Sequence, residues 1–142
     1  MFSKEESKKI RQEFWTTFGS NYPRKWLLYN TKIKDVTLKF TFTTKIAQVS
    51  IDIEPHDEVI RAYYFDKLLS LKNILKEEYI SDIIFNELYE LENHKIISRV
   101  YTELPNVSIH NRNTWEDTMI FLNNQMDKLE SFFLEYKDFI EN

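Results

Sequence analysis

Apolar residues recur at helical spacing at the start of the chain, and they place one apolar stripe on a helix predicted over residues 4–18. Ser3 and Glu6 have the Ser-x-x-Glu spacing of a capping box at the start of this helix. Gly19 is the only glycine of the chain, and it stands where a helix C-cap favours a left-handed backbone. The pattern therefore predicts a first helix that ends at Gly19.

The period changes from 3.6 to 2 over residues 36–54, which indicates two half-buried strands. With a turn centred on Thr44 and Lys45, antiparallel pairing puts every apolar side chain on one face. The expected pairs are Val36 with Ile53, Leu38 with Ile51, Phe40 with Val49, and Phe42 with Ala47. A shift of one residue would scatter these side chains over both faces, so the pattern specifies the register. The turn lacks an Asn-Gly pair, which favours a loop longer than two residues.

The second half of the chain repeats the order helix, hairpin and helix. Apolar spacings of three and four predict a helix over residues 57–79. A less regular alternation predicts a hairpin of residues 83–91 and 96–103, and residues 107–109 add a short extra strand. Thr114 and Asp117 form a Thr-x-x-Asp cap for a last helix with one unbroken apolar seam.

The predicted fold class is α+β, in the order α-ββ-α-ββ(β)-α. Three helices are expected to cover one face of an antiparallel sheet of four to five strands, which gives a two-layer single domain over residues 1–142. The 22 aromatic residues (11 Phe, 8 Tyr and 3 Trp) supply a sizeable core. The absence of Cys excludes disulfides and thiolate chemistry, and a single Gly excludes glycine-rich phosphate loops.

The charge of the chain is uneven. The formal net charge is −4, yet residues 1–34 hold eight Lys and Arg against three Asp and Glu. This overall sign disfavours general nucleic-acid binding, although the basic end can attract an anionic partner. The first residues have no apolar segment, and no run is long enough to cross a bilayer, so we expect a cytoplasmic protein with no membrane partner.

Several segments carry a resemblance to a known family: Phe14-Trp15, residues 26–34 (WLLYNTKIK), residues 97–103 (ISRVYTE) and residues 113–115 (NTW). They resemble an uncharacterised bacterial family, a domain of unknown function of about this length that is found alone or attached to a nuclease-like module. The resemblance covers nearly the whole chain and implies no established activity. Many members carry a glycine at the position of Lys32, so a role that needs glycine there is in doubt.

Residues 22–34 place cations among aromatic side chains, a pattern that suits stacking on bases and contact with phosphates. The candidate nucleic-acid-binding residues are Arg24, Lys25, Trp26, Tyr29, Lys32 and Lys34. The alternative is that the aromatic side chains pack onto the core while the cations remain solvated, and this alternative is favoured because most aromatic residues serve packing.

The polar face of the first hairpin gathers Asp35, Asp52 and Glu54 in the expected register. Three carboxylates suit Mg²⁺ and metal-dependent cleavage of phosphodiesters, but a solvated strand end is the favoured interpretation. Arg99, in a strand with apolar neighbours, is expected to pair with Glu87 or Glu90 on the adjacent strand.

The leading hypothesis is a non-enzymatic macromolecular-interaction module that binds an unknown protein partner or itself. A homodimer through the wide apolar surface of the last helix, with Phe121, Phe132 and Phe139, is left open. The alternative is an accessory nucleic-acid-binding domain associated with nuclease systems. A metal-dependent nuclease is the third hypothesis, and no cofactor is expected.

Overall fold

The computed structural model describes residues 2–142, and within them the chain forms four α-helices, one short 3-10 helix and four β-strands. The predicted α+β class with an antiparallel sheet is confirmed, while the predicted number of three helices is wrong. The order is α1 (Lys4–Asn21), β1 (Val36–Phe42), β2 (Ile46–Ile53), α2 (Glu58–Ser70), α3 (Lys72–Glu78), β3 (Ile84–Glu90), β4 (Ile96–Pro105), the 3-10 helix (Arg112–Thr114) and α4 (Trp115–Glu141).

The first helix has the predicted start and a later end. The Ser3 hydroxyl accepts a hydrogen bond from the Glu6 amide at 3.1 Å, and the Ser3 amide donates to the Glu6 carboxylate at 3.3 Å, which confirms the capping box. The predicted end at Gly19 is wrong, since α1 continues to Asn21 and Gly19 does not adopt a positive φ. The extra turn places Tyr22 against the ring of Phe18, with 5.4 Å between the ring centroids.

The first hairpin has the predicted register, with Val36 opposite Ile53 and Phe42 opposite Ala47. Three residues, Thr43, Thr44 and Lys45, lie between β1 and β2, which agrees with the expectation of a loop longer than two residues. The Thr43 amide donates to the Ile46 carbonyl at 2.9 Å and closes the loop. The Thr43 hydroxyl accepts hydrogen bonds from the amides of Lys45 and Ile46, which satisfies the turn without an Asn-Gly pair.

The four strands lie in the order β1-β2-β4-β3, and all neighbours are antiparallel. Helices α2 and α4 contact the sheet, and the apolar residues of β1 and β2 belong to one continuous cluster of buried side chains. The helices therefore cover the face to which the alternation of the first hairpin points. The opposite face carries the polar residues of the same strands.

The predicted second helix is divided at Leu71. This residue has φ of −97° and ψ of 8°, and its amide donates to the Leu68 carbonyl at 3.0 Å, which closes a tight turn between α2 and α3. Leu68, Leu71 and Leu75 are all buried. Apolar spacing continues through the break, and for this reason the sequence pattern does not reveal it.

The second hairpin contains a β-bulge. Asn86 pairs with Arg99 and Tyr89 with Ile97, so β3 uses one residue more than β4 over this stretch. The extra residue breaks the alternation of β3 and leaves Leu88 67% exposed. Residues 107–109 do not form the predicted extra strand, because their contact with the first hairpin is one hydrogen bond from the Ile109 amide to the Thr43 carbonyl.

The last helix begins at Trp115 with Thr114 as its N-cap residue, as predicted, but the Thr114 side chain does not form the expected capping bond. The Thr114 hydroxyl donates towards the carbonyls of Ser108 and Asn111 instead of accepting from the first turn of α4. Phe132 belongs to the core and is fully buried, whereas Phe139 is 48% exposed. Within residues 2–142, no helix is both long enough and apolar enough to span a bilayer.

The connection between α1 and β1 turns on three residues in the left-handed region, Leu28 (φ 48°), Lys32 (φ 66°) and Asp35 (φ 68°). Lys32 thus adopts a backbone conformation that favours glycine. Thr31 fixes the turn, because its buried hydroxyl donates to the Val36 carbonyl at 2.6 Å and accepts from the Ile33 amide at 3.2 Å.

Candidate functional site

The outer edge of the sheet at β1 carries main-chain groups that β2 does not use. In an antiparallel pair, alternate residues bond to the partner strand and the others point away from it. The bonds Thr43 to Ile46 and Glu54 to Asp35 show that the odd-numbered residues of β1 face β2. The even-numbered residues therefore direct their N–H and C=O groups outwards, away from the sheet.

The connection before β1 occupies only the first part of this edge. The Val36 amide donates to the Ile33 carbonyl at 3.2 Å, and the Leu38 amide donates to the Leu28 carbonyl at 3.0 Å. Beyond that point, the outward main-chain groups of Phe40 form no hydrogen bond within residues 2–142. The edge at Phe40 has an unused donor and an unused acceptor.

A groove of about 440 Å³, here called the edge groove, lies along this stretch of β1. Its walls come from α1, the connection, β1 and the residue that follows β2. They comprise Trp15, Leu28, Tyr29, Thr37, Leu38, Lys39, Phe40 and Glu54. Apolar side chains of the helix-covered face form one wall, and Thr37, Lys39 and Glu54 of the polar face form the other.

Aromatic packing holds the apolar wall in place. The Phe40 ring has its centroid 6.1 Å from that of Trp15 and 5.7 Å from that of Trp26. Phe18 packs edge-on against the same ring at 5.3 Å. Tyr29 at the rim behaves differently, because it is 83% exposed. The groove thus combines a rigid aromatic wall with one solvated tyrosine.

The structure uses Arg24 for internal contacts. Its guanidinium donates to Asp127 at 2.5 Å and to the buried Glu130 at 2.7 Å, and it lies 4.0 Å from the centre of the Trp26 ring. The hydrogen bond to Asp127 and the charge of Glu130 outweigh partial burial and raise the pKa of Arg24. Glu130 also accepts from the Leu27 amide at 2.7 Å, so this carboxylate fastens the connection to α4.

The six candidate nucleic-acid-binding residues consequently divide into two groups. Arg24 is bonded to α4, and Trp26 packs against the Arg24 guanidinium and the Phe40 ring. Lys25, Tyr29, Lys32 and Lys34 are exposed. In residues 22–34, Arg24 and Trp26 therefore serve internal packing and bonding, whereas the three lysines and Tyr29 form a solvated surface.

The three candidate metal ligands are not brought together. Asp52 is buried and bonded to Arg99, Glu54 lines the edge groove, and Asp35 lines a separate cavity beside α2. Over residues 2–142, no group of three or more acidic or histidine side chains has an arrangement that holds a metal ion. The expected register of the first hairpin is correct, but the three carboxylates at its end belong to three different surroundings.

Arg99 has a different partner from the predicted Glu87 or Glu90. Its Nε and Nη2 donate to the two oxygens of Asp52 at 2.8 and 2.9 Å, because β4 lies beside β2 and places these residues opposite each other. Nη1 donates to Gln48 at 2.7 Å, and the Tyr89 ring covers the guanidinium at 4.4 Å. Burial opposes the charge on Arg99, yet the bonds to Asp52 raise its pKa.

Sequence reasoning missed the edge groove as a site. Trp15 and Phe40 are assigned correctly to a helix and a strand, but no local pattern places α1 against the free edge of β1. Two features of the sequence could have indicated this site. They are the alternation of apolar and polar residues in β1 and the aromatic residues of the connection between α1 and β1.

A family model described as Domain of unknown function (DUF4268) matches residues 10–137. No match was found among curated proteins or among solved structures.

Proposed function

The chain belongs to the DUF4268 family, a domain of unknown function, and from its own geometry we propose that it is a non-enzymatic interaction module that binds another polypeptide in the edge groove. One observation carries the proposal. An apolar groove of about 440 Å³ lies directly beside a strand edge whose main-chain donor and acceptor at Phe40 are unused. Specific binding sites combine apolar walls with a few well-placed polar groups, and this groove has both.

The groove residues are of the kinds that dominate protein interfaces. Trp and Tyr supply large contact areas, and aromatic residues are enriched where partner chains bind. Tyr29 is 83% exposed, so it loses much solvent contact when a partner covers it. Trp15 and Phe40 are held by their neighbours and need little reorganisation, which lowers the entropy cost of binding.

The test is photo-cross-linking in living cells, with p-benzoylphenylalanine introduced at Tyr29. This side chain is solvated, so the replacement leaves the core intact. The matched control carries the same group at Tyr63, which is 46% exposed on α2. We expect a discrete adduct from position 29 that contains a second polypeptide, identified by mass spectrometry, and no such adduct from position 63. Equal labelling at both positions, or none at either, contradicts the proposal.

A second candidate function is nucleic-acid binding, and a specific observation favours it. The exposed Tyr29 lies in a connection with three exposed lysines, Lys25, Lys32 and Lys34. Exposed aromatic rings between cations stack on bases while the cations contact phosphates.

Anisotropy titration with labelled single-stranded and duplex oligonucleotides tests this candidate. The triple variant Lys25→Ala/Lys32→Ala/Lys34→Ala should weaken binding and reduce its salt dependence, since fewer phosphates are neutralised. The control Lys4→Ala/Lys8→Ala/Lys9→Ala removes the same charge from exposed positions of α1. Equal effects of the two triple variants would mean that only net charge matters, and this would exclude a site. Arg24 is left unchanged because its loss also disturbs Glu130.

A further inference from the structure

The edge groove already contains the start of an additional strand pairing. The Leu28 carbonyl accepts the outward amide of Leu38 at 3.0 Å, as a neighbouring strand would. Two residues further along β1, the N–H and C=O groups of Phe40 also point away from β2. A polypeptide that lies beside β1 and continues the line of Leu28 can therefore pair with these groups at the spacing of an antiparallel strand.

The free main-chain edge and the small lining of the groove favour one extended segment over a second folded domain. Leu28 and Tyr29 stand on one side of the free edge, and Trp15 stands on another. A stable dimer interface needs about 800 Å² and about 20–30 residues from each partner. The edge groove is lined by eight residues, which suits one short extended segment.

The two walls specify the side chains of the segment. Residues of a strand point alternately to the two faces of a sheet. An added strand therefore presents every second side chain to the apolar wall of Trp15 and Phe40, and the intervening ones to the polar wall. On that polar wall Lys39 is exposed, and within residues 2–142 it forms no ion pair. A carboxylate of the segment complements Lys39.

We infer that the partner is an extended polypeptide segment of alternating apolar and polar residues, with an acidic residue beside Lys39, which pairs with the outer edge of β1 as a fifth strand. The inference rests on the proposed function and specifies the partner of the same groove. Main-chain pairing supplies affinity in this mode of recognition, and the alternate side chains supply specificity.

The experiment selects short random peptides, displayed on phage, against the full chain. A selected peptide is then synthesised with N-methyl groups on alternate amides, in two complementary sets. We expect methylation of the set that faces β1 to weaken binding about tenfold or more, since the hydrogen bond to the Phe40 carbonyl is lost and the methyl groups prevent close approach to the strand. Methylation of the other set should change the affinity by less than about threefold.

Two further readouts locate the peptide. Hydrogen exchange of the Phe40 amide, followed by NMR, should slow about tenfold or more in the complex, because an amide without a hydrogen-bond partner becomes paired. The variant Lys39→Glu should weaken the selected peptide, and a peptide with lysine in place of its acidic residue should restore binding. The control Lys45→Glu reverses an exposed charge in the hairpin turn and should have no effect.

The outcomes separate the inference from the proposed function. Selected peptides with helical spacing, or equal sensitivity to both methylated sets, overturn strand addition, while a polypeptide adduct at position 29 still supports the interaction module. A dimer in sedimentation velocity that the selected peptide dissociates also overturns it, because a second copy then occupies the groove. Failure of both selection and cross-linking overturns the proposed function itself.

Discussion

Asp52 neutralises a guanidinium that water hardly reaches, since the side chains of Arg99 and Asp52 are 3% and 1% exposed. We expect Asp52→Ala to lower the free energy of unfolding by about 3–5 kcal/mol, because it leaves an unpaired charge in the interior. Urea denaturation followed by circular dichroism measures the change. The control Glu90→Ala removes the carboxylate of an exposed pair with His94 and should change stability little.

The double variant Asp52→Leu/Arg99→Met distinguishes a lost charge from lost packing. Replacing both members of a buried pair by apolar side chains is often close to neutral, so the double variant should be more stable than Asp52→Ala. If Asp52→Ala costs less than about 1 kcal/mol, water or another group compensates Arg99, and the closed network described above is not the state in solution.

Lys32 occupies the left-handed region with φ of 66°. This conformation costs a residue with a Cβ about 1–2 kcal/mol, and glycine avoids most of that cost while losing more chain entropy on folding. We expect Lys32→Gly to raise the free energy of unfolding by about 0.5–1 kcal/mol. Lys34→Gly, at an exposed position of the same connection without a positive φ, should not stabilise. Thermal and urea unfolding of the two variants test the prediction.

At the scale of elements, Glu130 of α4 holds the first part of the connection between α1 and β1. It is 6% exposed and accepts hydrogen bonds from Arg24 and from the Leu27 amide. We expect Glu130→Ala to destabilise by about 1–3 kcal/mol, since hydrogen bonds to a charged group are lost beside a partly solvated Arg24. Hydrogen exchange of the Leu27 amide should accelerate in the same variant.

Asp127→Ala is the matched control for Glu130→Ala. Asp127 bonds to the same guanidinium, but the two side chains are 55% and 41% exposed, so solvent replaces the lost contact. If both variants destabilise equally, the connection is held by charge alone and not by the buried carboxylate.

Local patterns predicted the elements whose signals lie within a few residues of each other. The register of the first hairpin is an example, because only one pairing places Phe40 and Val49 on the same buried face. Gly19 and Thr114 show the limit of such signals. Gly19 lies inside α1 without a positive φ, and Thr114 occupies the N-cap position of α4 while its hydroxyl bonds to the preceding turn. The bulge of β3 is likewise set by its pairing with β4.

At the scale of the whole molecule, the strand order β1-β2-β4-β3 determines what the sequence cannot show. It places Arg99 opposite Asp52, which are 47 residues apart, and it leaves β1 at an edge. The edge groove joins residues of α1, the connection and β1. The sequence therefore indicates the aromatic and basic segment, whereas only the fold shows which of its residues are engaged and which are exposed.

Gly19 lies inside α1, and an added Cβ would meet nothing within 4 Å. Because alanine costs less chain entropy in a helix, Gly19→Ala should raise the free energy of unfolding by about 0.5–1 kcal/mol. Ala62→Gly in α2 is the reverse control and should lower it by a similar amount. Urea denaturation of both variants checks the pair, and destabilisation by Gly19→Ala would show that α1 does not remain continuous at this residue in solution.

The position of Gly19 inside a helix means that no sharp turn within residues 2–142 depends on glycine. The positive-φ positions among residues 2–142 are held by Leu28, Lys32, Asp35, His94 and Asn106. The chain has no cysteine, and its one glycine is not needed for a turn. The Gly19→Ala variant would thus contain eighteen of the twenty amino acids, all except glycine and cysteine. Such a chain shows that sharp reversals of an α+β backbone do not depend on the residue most often associated with them.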